Sequence, residues 1–315
     1  MKQEKILIIG ACGQIGVELT LALRNIYGNN NVIASDLRPT VHPLLADSGP
    51  YYTIDATDIK AVAALVAKES ITQIYLLAAL LSATGEKMPM KAWEINMDSL
   101  LQIMELSVEK KLTKLYWPSS IAVFGTTTPK QNTPQKTIVE PTTVYGISKY
   151  AGEMWCQYFH RRWGLDVRSL RYPGLISWKS APGGGTTDYA VEIYIEALKQ
   201  KQYTSFLSAD TYLPMMYMDD AIRGTIELME APEAQIKSRM AYNLSAMSFS
   251  PKEIAAEIQK HIPDFKIDYA PDFRQAIADS WPASIDDAAA RQDWQWQHRF
   301  DLEKMTKAML ENLGK

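Results

Sequence analysis

Hydrophobic positions in the first half of the chain fall into short continuous runs separated by amphipathic stretches. Lys5-Ile-Leu-Ile-Ile9 is apolar, β-branched and ends at Gly10, the pattern of a strand buried on both faces of a parallel sheet. A helical spacing follows through Val17, Leu19, Leu21, Ala22 and Leu23. Asn30-Asn31 reads as a turn and Val32-Ile-Ala-Ser35 as a second strand, capped by Asp36. Further strands are predicted at Gln73-Ile-Tyr-Leu-Leu77 and Lys114-Leu-Tyr-Trp-Pro118. Apolar strands alternating with amphipathic helices predict an α/β fold, a doubly wound parallel sheet with right-handed crossovers. The periodicity loosens after Arg171-Tyr-Pro. Residues 188–199 read as a helix, and 211–230 return to the sheet through Met215–Met218 and a helix capped near Asp219. Ser250-Pro-Lys-Glu253 is a helix start with Pro in the first position and Glu completing a capping box. The tail, 251–315, carries helices and the aromatic pair Trp294 and Trp296.

With 315 residues the chain can bury a full core, as about two domains or one large α/β unit. A net charge of -3 argues against a nucleic-acid binder. No apolar run approaches the roughly 18–20 residues of a membrane helix, and Met1-Lys-Gln-Glu-Lys-Ile6 lacks the apolar stretch of a signal peptide. Cys12 and Cys156 are the only cysteines, so no disulfide framework is expected and a reducing cytoplasm fits. His42, His160, His261 and His298 are scattered without ligand spacing, so no metal is expected.

The chemistry begins at Gly10-Ala-Cys-Gly13-Gln-Ile-Gly16, between a strand and a helix. One glycine permits the tight turn, one lets backbone approach a pyrophosphate, and one lets the helix pack close to the strand. The helix N-terminus offers free N–H groups to phosphates. Asp36 stands twenty residues after Gly16, where an acid that accepts hydrogen bonds from the adenosine ribose diol is expected. The pattern predicts a Rossmann-type dinucleotide site. A carboxylate repels a 2′-phosphate, so NAD is favoured, although Arg38 could serve that phosphate in NADP. Asp55 reads as an adenine-edge residue, or with Asp58 as a helix cap, which Asp58 is well placed to form.

Downstream, Tyr145-Gly-Ile-Ser-Lys149 places a phenol and an ammonium group four residues apart, on one helix face. The ammonium is expected to favour the tyrosinate, lowering a phenol pKa that is ordinarily near 10 and making a proton acceptor near neutral pH. Lys149 would also bind the nicotinamide ribose. Ser120 ends a strand, where open α/β sheets bind ligands, and its hydroxyl could hydrogen-bond a substrate oxygen beside the tyrosine. Each feature alone is commonplace; their order along one chain makes a proton-transfer site beside a nicotinamide.

Gly10-x-x-Gly13-x-x-Gly16, Leu77-Ala-Ala79, Asn96, Ser119-Ser-Ile-Ala-Val-Phe-Gly125 and Tyr145-x-x-x-Lys149 resemble the extended short-chain dehydrogenase/reductase superfamily. Phe124 stands where that family usually has Tyr. Leu80-Leu-Ser-Ala83, Tyr172-Pro-Gly-Leu-Ile176, Pro182-Gly-Gly-Gly-Thr-Thr-Asp-Tyr-Ala190, Leu213-Pro-Met-Met-Tyr-Met-Asp-Asp220 and Asp279-Ser-Trp-Pro282 are similar to the short-chain L-threonine 3-dehydrogenases. That resemblance implies oxidation of the β-hydroxyl of L-threonine with NAD to 2-amino-3-oxobutyrate. It implies Tyr145 as base with Lys149, and Ser120 orienting the hydroxyl. Ser82, Gly184, Thr186 and Thr187 would meet the substrate, and Trp281 would close the pocket. NAD would lie along Gly10, Gly13, Gln14, Ile15, Gly16, Asp36, Arg38, Asp55, Ala56, Leu77, Ala78, Ala79, Asn96, Tyr145, Lys149 and Tyr172. It also implies a homodimer through helices near 93–110 and 145–162. The alternative on the same fold is a nucleotide-sugar epimerase or dehydratase. Read from its own residues, Gly183-Gly-Gly185 exposes backbone N–H groups that could cradle a carboxylate, or is a linker loop. Trp281 is a lid or core filling. The expected organisation is a cofactor domain over 1–174 with a return segment over 211–239, and a substrate lobe from 175–210 and 240–315.

Overall fold

Ile6–Ile9 has no exposed residue and lies inside a six-stranded, all-parallel sheet. The computed structural model describes residues 4–179 and 183–315; Met1–Gln3 and Ser180–Pro182, with the Pro182 that opens the glycine motif, lie outside the described residues. The strands run in the order Tyr51–Thr53, Val32–Asp36, Ile6–Ile9, Gln73–Leu76, Lys114–Tyr116, Val167–Arg168. Strand order reverses beside Ile6–Ile9, which opens a crevice at the carboxyl ends of the strands.

Alternation of side chains explains why the first run is apolar throughout. Ile6 and Ile8 join one core, with Val17, Leu19 and Leu23 of helix Gln14–Tyr27 and with Ala221 and Met229 of helix Met218–Glu230. Leu7 and Ile9 join the opposite core, with Val62 and Leu65 of helix Ile59–Lys68, Ile103 of helix Ser99–Glu109, and Cys156 and Phe159. Each such Val, Leu, Ile, Phe or Met side chain contributes about 1.5–3 kcal/mol by burial. A third core joins Ile121–Phe124 to helix Tyr189–Gln200, Phe249, Trp281, Met305 and Met309. Among the described residues three small sheets complete the fold, one of them pairing Ser119–Ser120 with Leu170–Tyr172.

The expected strands end earlier than the apolar runs: Leu77, Trp117 and Pro118 lie past the ladders. The predicted helix over 188–199 spans Tyr189–Gln200, and the Ser250/Glu253 capping box forms at Pro251–Gln259. Asp58 caps helix Ile59–Lys68 by accepting from Ala61 N. The cap predicted near Asp219 does not form. That helix starts at Met218, so Asp219 and Asp220 fall inside the first turn, where carboxylates meet the positive helix end rather than cap it. Asp220 instead accepts from the backbone N–H groups of Arg299 and Phe300. Trp294 and Trp296 pack in the core of Ile6 and Ile8, with Trp296 beneath Arg223.

Candidate active site

Thr143 caps helix Val144–Trp163, its side chain accepting from Gly146 N at 3.0 Å. A Cβ at Gly146 would sit 2.1 Å from Ala122 O, so glycine lets the helix seat directly on the turn that follows Ser120. Tyr145, Lys149 and Ser120 therefore line one cavity of about 140 Å³. The Ser120 hydroxyl accepts from Ala122 N at 3.2 Å.

The electrostatics differ from the expectation. Burial pushes the Tyr145 phenol up to about 12, against a smaller downward pull from its hydrogen bond with Ser120. Burial also takes Lys149 down to about 7, opposed by Cys156 and Glu153. Lys149 Nζ donates to Pro118 O at 2.7 Å and lies 4.3 Å from the Trp117 ring centroid, against 5.5 Å from that of Tyr145. Lys149 thus does not hold the tyrosine pKa down: desolvation dominates at both groups.

The cavity continues into two others. One, of about 560 Å³, runs along Gly10, Gly13, Gln14, Ile15, Gly16 and Arg38. The next, of about 370 Å³, is lined by Asp36, Arg38, Asp55, Ala56, Leu77, Ala78 and Ala79. Leu77 and Ala79 line all three, so the cleft is continuous. Asn96 does not face it. Its amide clasps both backbone groups of Leu80, at 2.8 and 3.1 Å, and reaches Ser148 at 3.3 Å. It sits in a π-helical turn, Glu94–Asp98, of an otherwise α-helical stretch, and its direct contact role gives way to holding the Leu77–Leu81 wall. Tyr172 lines the cavity, but its hydroxyl bonds Tyr116 and Thr225 in the core.

At the far end the hydroxyls of Ser82 and Thr186 hydrogen-bond at 3.4 Å, with Thr187 and Trp281 on the same wall. The glycine loop departs from expectation. The N–H groups of Gly184 and Gly185 both donate to Asp188 Oδ2 at 2.8 Å, so they are not free for a carboxylate, and Gly184 does not line the cavity. A side-chain acceptor three or four residues on is closer than any ligand and takes the donors. Among the described residues Asp188 is the only carboxylate lining this cavity. Its pKa is raised by burial, against the pull of the two glycine N–H groups.

A sequence profile of the NAD dependent epimerase/dehydratase family matches residues 6–245. The chain belongs to that family. An uncharacterized epimerase/dehydratase of Staphylococcus haemolyticus is 51% identical, over 98% of this chain and 96% of its own. Among solved structures, the GalE-like L-threonine dehydrogenase of Cupriavidus necator in its holo form is 56% identical with a TM-score of 0.96, covering 98% of this chain and 99% of its own. A monomeric L-threonine 3-dehydrogenase from a metagenome is 48% identical with a TM-score of 0.94, covering 98% of each chain.

The family's cofactor is NAD, and the cleft fits it. Helix Gln14–Tyr27 begins at Gly13 without a side-chain cap or an acid in its first turn, leaving the positive helix end for an anion. A Cβ at Gly13 would meet only Gly10 O, at 3.4 Å, so this side of the turn opens onto the cleft. Asp36 accepts from Cys12 N at 2.9 Å and Arg38 N at 3.1 Å, which fixes its carboxylate at the cleft while lone pairs remain for a ribose diol. Arg38, largely exposed, lies 3.7 Å from Asp36 and donates to Cys12 O at 2.9 Å. Asp55 accepts from Thr57 N and Oγ1 at 2.9 and 2.7 Å, hydrogen bonds that hold its carboxyl below the usual range. Among the described residues no group of three His, Cys, Asp or Glu side chains gathers as a metal site requires, and no helix is long and apolar enough to cross a membrane.

A buried ion pair beneath the site was missed from the sequence. Glu153, fully buried, takes Arg171 through both carboxylate oxygens at 2.8 and 2.7 Å and accepts from Ser119 at 2.6 Å. Arg171 also reaches Asn243 and Gln135 O. Glu153 lies four residues past Lys149, a spacing that could have pointed to it. Arg171 and Asp188 carry no comparable local signal.

Proposed function

We propose that this protein oxidises the 3-hydroxyl of L-threonine with NAD to 2-amino-3-oxobutyrate. The observation that carries the reading is the meeting of Tyr145, Ser120 and Lys149 with the Ser82–Thr186 hydroxyl pair and Asp188 in one cavity of about 140 Å³. Its walls carry hydroxyls and one carboxylate, groups that suit a small zwitterionic amino acid. Asp188 suits an α-ammonium group, and the hydroxyls of Ser82, Thr186 and Thr187 suit the carboxylate. The solved L-threonine dehydrogenases above support the same assignment.

Ser120 orients the substrate hydroxyl, and Tyr145 takes its proton. Lys149, on the same helix face, stabilises the tyrosinate that acts as the base, a charge that is lost when Tyr145 takes the proton. When bound, NAD supplies the hydride acceptor and a positive nicotinamide ring. Its pyrophosphate would lie along Gly13–Gly16 and its adenosine ribose on Asp36. The buried walls around Tyr145 exclude water from the proton transfer.

The two-lobed organisation expected from the sequence remains our reading, with the pocket where the 1–174 domain meets helix Tyr189–Gln200 and Trp281. We also read the protein as a cytoplasmic homodimer. Ile147, Met154, Trp155, Tyr158 and Trp163 expose an apolar strip along helix Val144–Trp163, which a second copy would cover. Light scattering at micromolar concentration tests this, a monomer refuting it.

Incubation with NAD and L-threonine, followed by absorbance of reduced cofactor, tests the function. Absence of reduction, with interconversion of a nucleotide sugar instead, would replace this reading by the epimerase one.

A further inference from the structure

We propose that Lys130 is a positioning residue for substrate binding, clamping the backbone that carries Trp281; this rests on the L-threonine reading above. Lys130 lies far from Trp281 in sequence and does not line the cavity. Its Nζ donates to Asp279 O at 2.9 Å and Trp281 O at 3.1 Å. Both carbonyls lie at the C-terminal end of helix Phe273–Ser280, where backbone acceptors lack helical donors and a cation is favoured. The backbone of Lys130 grips the same segment, its carbonyl accepting from Ala283 N at 2.8 Å and Ser284 N at 3.1 Å. Thr133 N adds a bond to Ser284 O at 3.0 Å. One segment thus holds the chain on both sides of the tryptophan.

What is held has a polar group with nothing to bind. Trp281 is 6% exposed, forms part of the cavity wall, and among the described residues its indole N–H has no acceptor. A buried donor of this kind is ordinarily paired. The ring can shape the cavity only while its backbone is held at the wall. Lys130 supplies that hold through two charge-assisted bonds to backbone, which no change at Trp281 itself would restore.

The test uses Lys130→Met, Lys130→Gln and Lys130→Arg in the full-length protein. Lys130→Met should raise KM for L-threonine about tenfold, the equivalent of about 1.4 kcal/mol, with kcat within about twofold and NAD affinity, read by cofactor fluorescence, unchanged. Lys130→Arg, which keeps charge and donors, should recover most of the loss. In a Trp281→Ala background Lys130→Met should add no further rise in KM, as coupled residues require. An unchanged KM, or additive effects in that cycle, overturns the proposal. Lys130→Gln keeps a neutral amide donor without the charge and carries the same test should the Met variant fail to fold. Absent turnover in the wild type strikes the substrate reading instead. The clamp is then read by hydrogen exchange over 279–284, which should be about tenfold faster in Lys130→Met; equal exchange refutes it.

Discussion

Lys149 is a lysine held where its charge is costly, and replacing it exposes that cost. Its ammonium is almost fully buried, and burial lowers its pKa from the ordinary 10.5 to about 7. The unfolded chain therefore binds more protons than the folded one between pH 7 and 10.5, so stability rises with pH across that window. Below pH 7 both states are protonated and the penalty is constant, at about 5 kcal/mol from 1.36 kcal/mol per unit. From pH 7 to pH 10 the wild-type protein should regain about 3 kcal/mol from this group. At roughly 2.1 cal/mol/K per residue, a chain of this length unfolds with an entropy of about 0.7 kcal/mol/K, so the gain is about 5 °C in Tm. Lys149→Met removes the titration. It also removes the bond to Pro118 O and the contact with Trp117, but those losses do not vary with pH once the group is gone. Thermal unfolding of both proteins at each pH from 6 to 10 isolates the effect, because all other groups cancel in the difference. The variant's Tm relative to wild type should fall by about 5 °C from pH 7 to pH 10. A constant difference would mean that Lys149 keeps its ordinary pKa and that the cost of burying it is compensated.

Tyr145→Phe should abolish NAD reduction while NAD affinity, followed by fluorescence titration, stays within about threefold, since the phenol oxygen is the only group removed; retained turnover refutes the base assignment. Asp36→Ala should weaken NAD about tenfold, the scale of one charge-assisted hydrogen bond, and narrow its advantage over NADP, both read by equilibrium binding; an unaltered NAD/NADP ratio removes Asp36 from the ribose. Glu153→Ala strands Arg171 in the interior and should cost about 3–5 kcal/mol, or about 5–8 °C in Tm, visible by calorimetry. A change under 2 °C on this scale would show that the pair is better solvated than its burial implies.

The alternation of apolar runs with helical spacing was enough to read the sheet, because strands such as Ile6–Ile9 are buried on both faces and carry no polar position. Tyr145, Lys149 and Ser120 were equally legible, as were Gly10–Gly16 and Asp36, since a helix repeat and a strand end convert spacing directly into geometry. Three things were decided only by the fold. The N–H groups of Gly184 and Gly185 turned to Asp188 because a carboxylate a few residues away competes better than an absent ligand. Asn96 went to Leu80 because a π-helical turn aims its amide at the neighbouring loop rather than at the cleft. Burial pushed the Tyr145 phenol up and the Lys149 ammonium down, opposite to the shift expected from their spacing, because desolvation depends on everything packed around them. Local spacing determines which residues share a face; which polar group wins each partner, and what charge it carries, is set by the loop conformation and by the burial that the folded chain imposes.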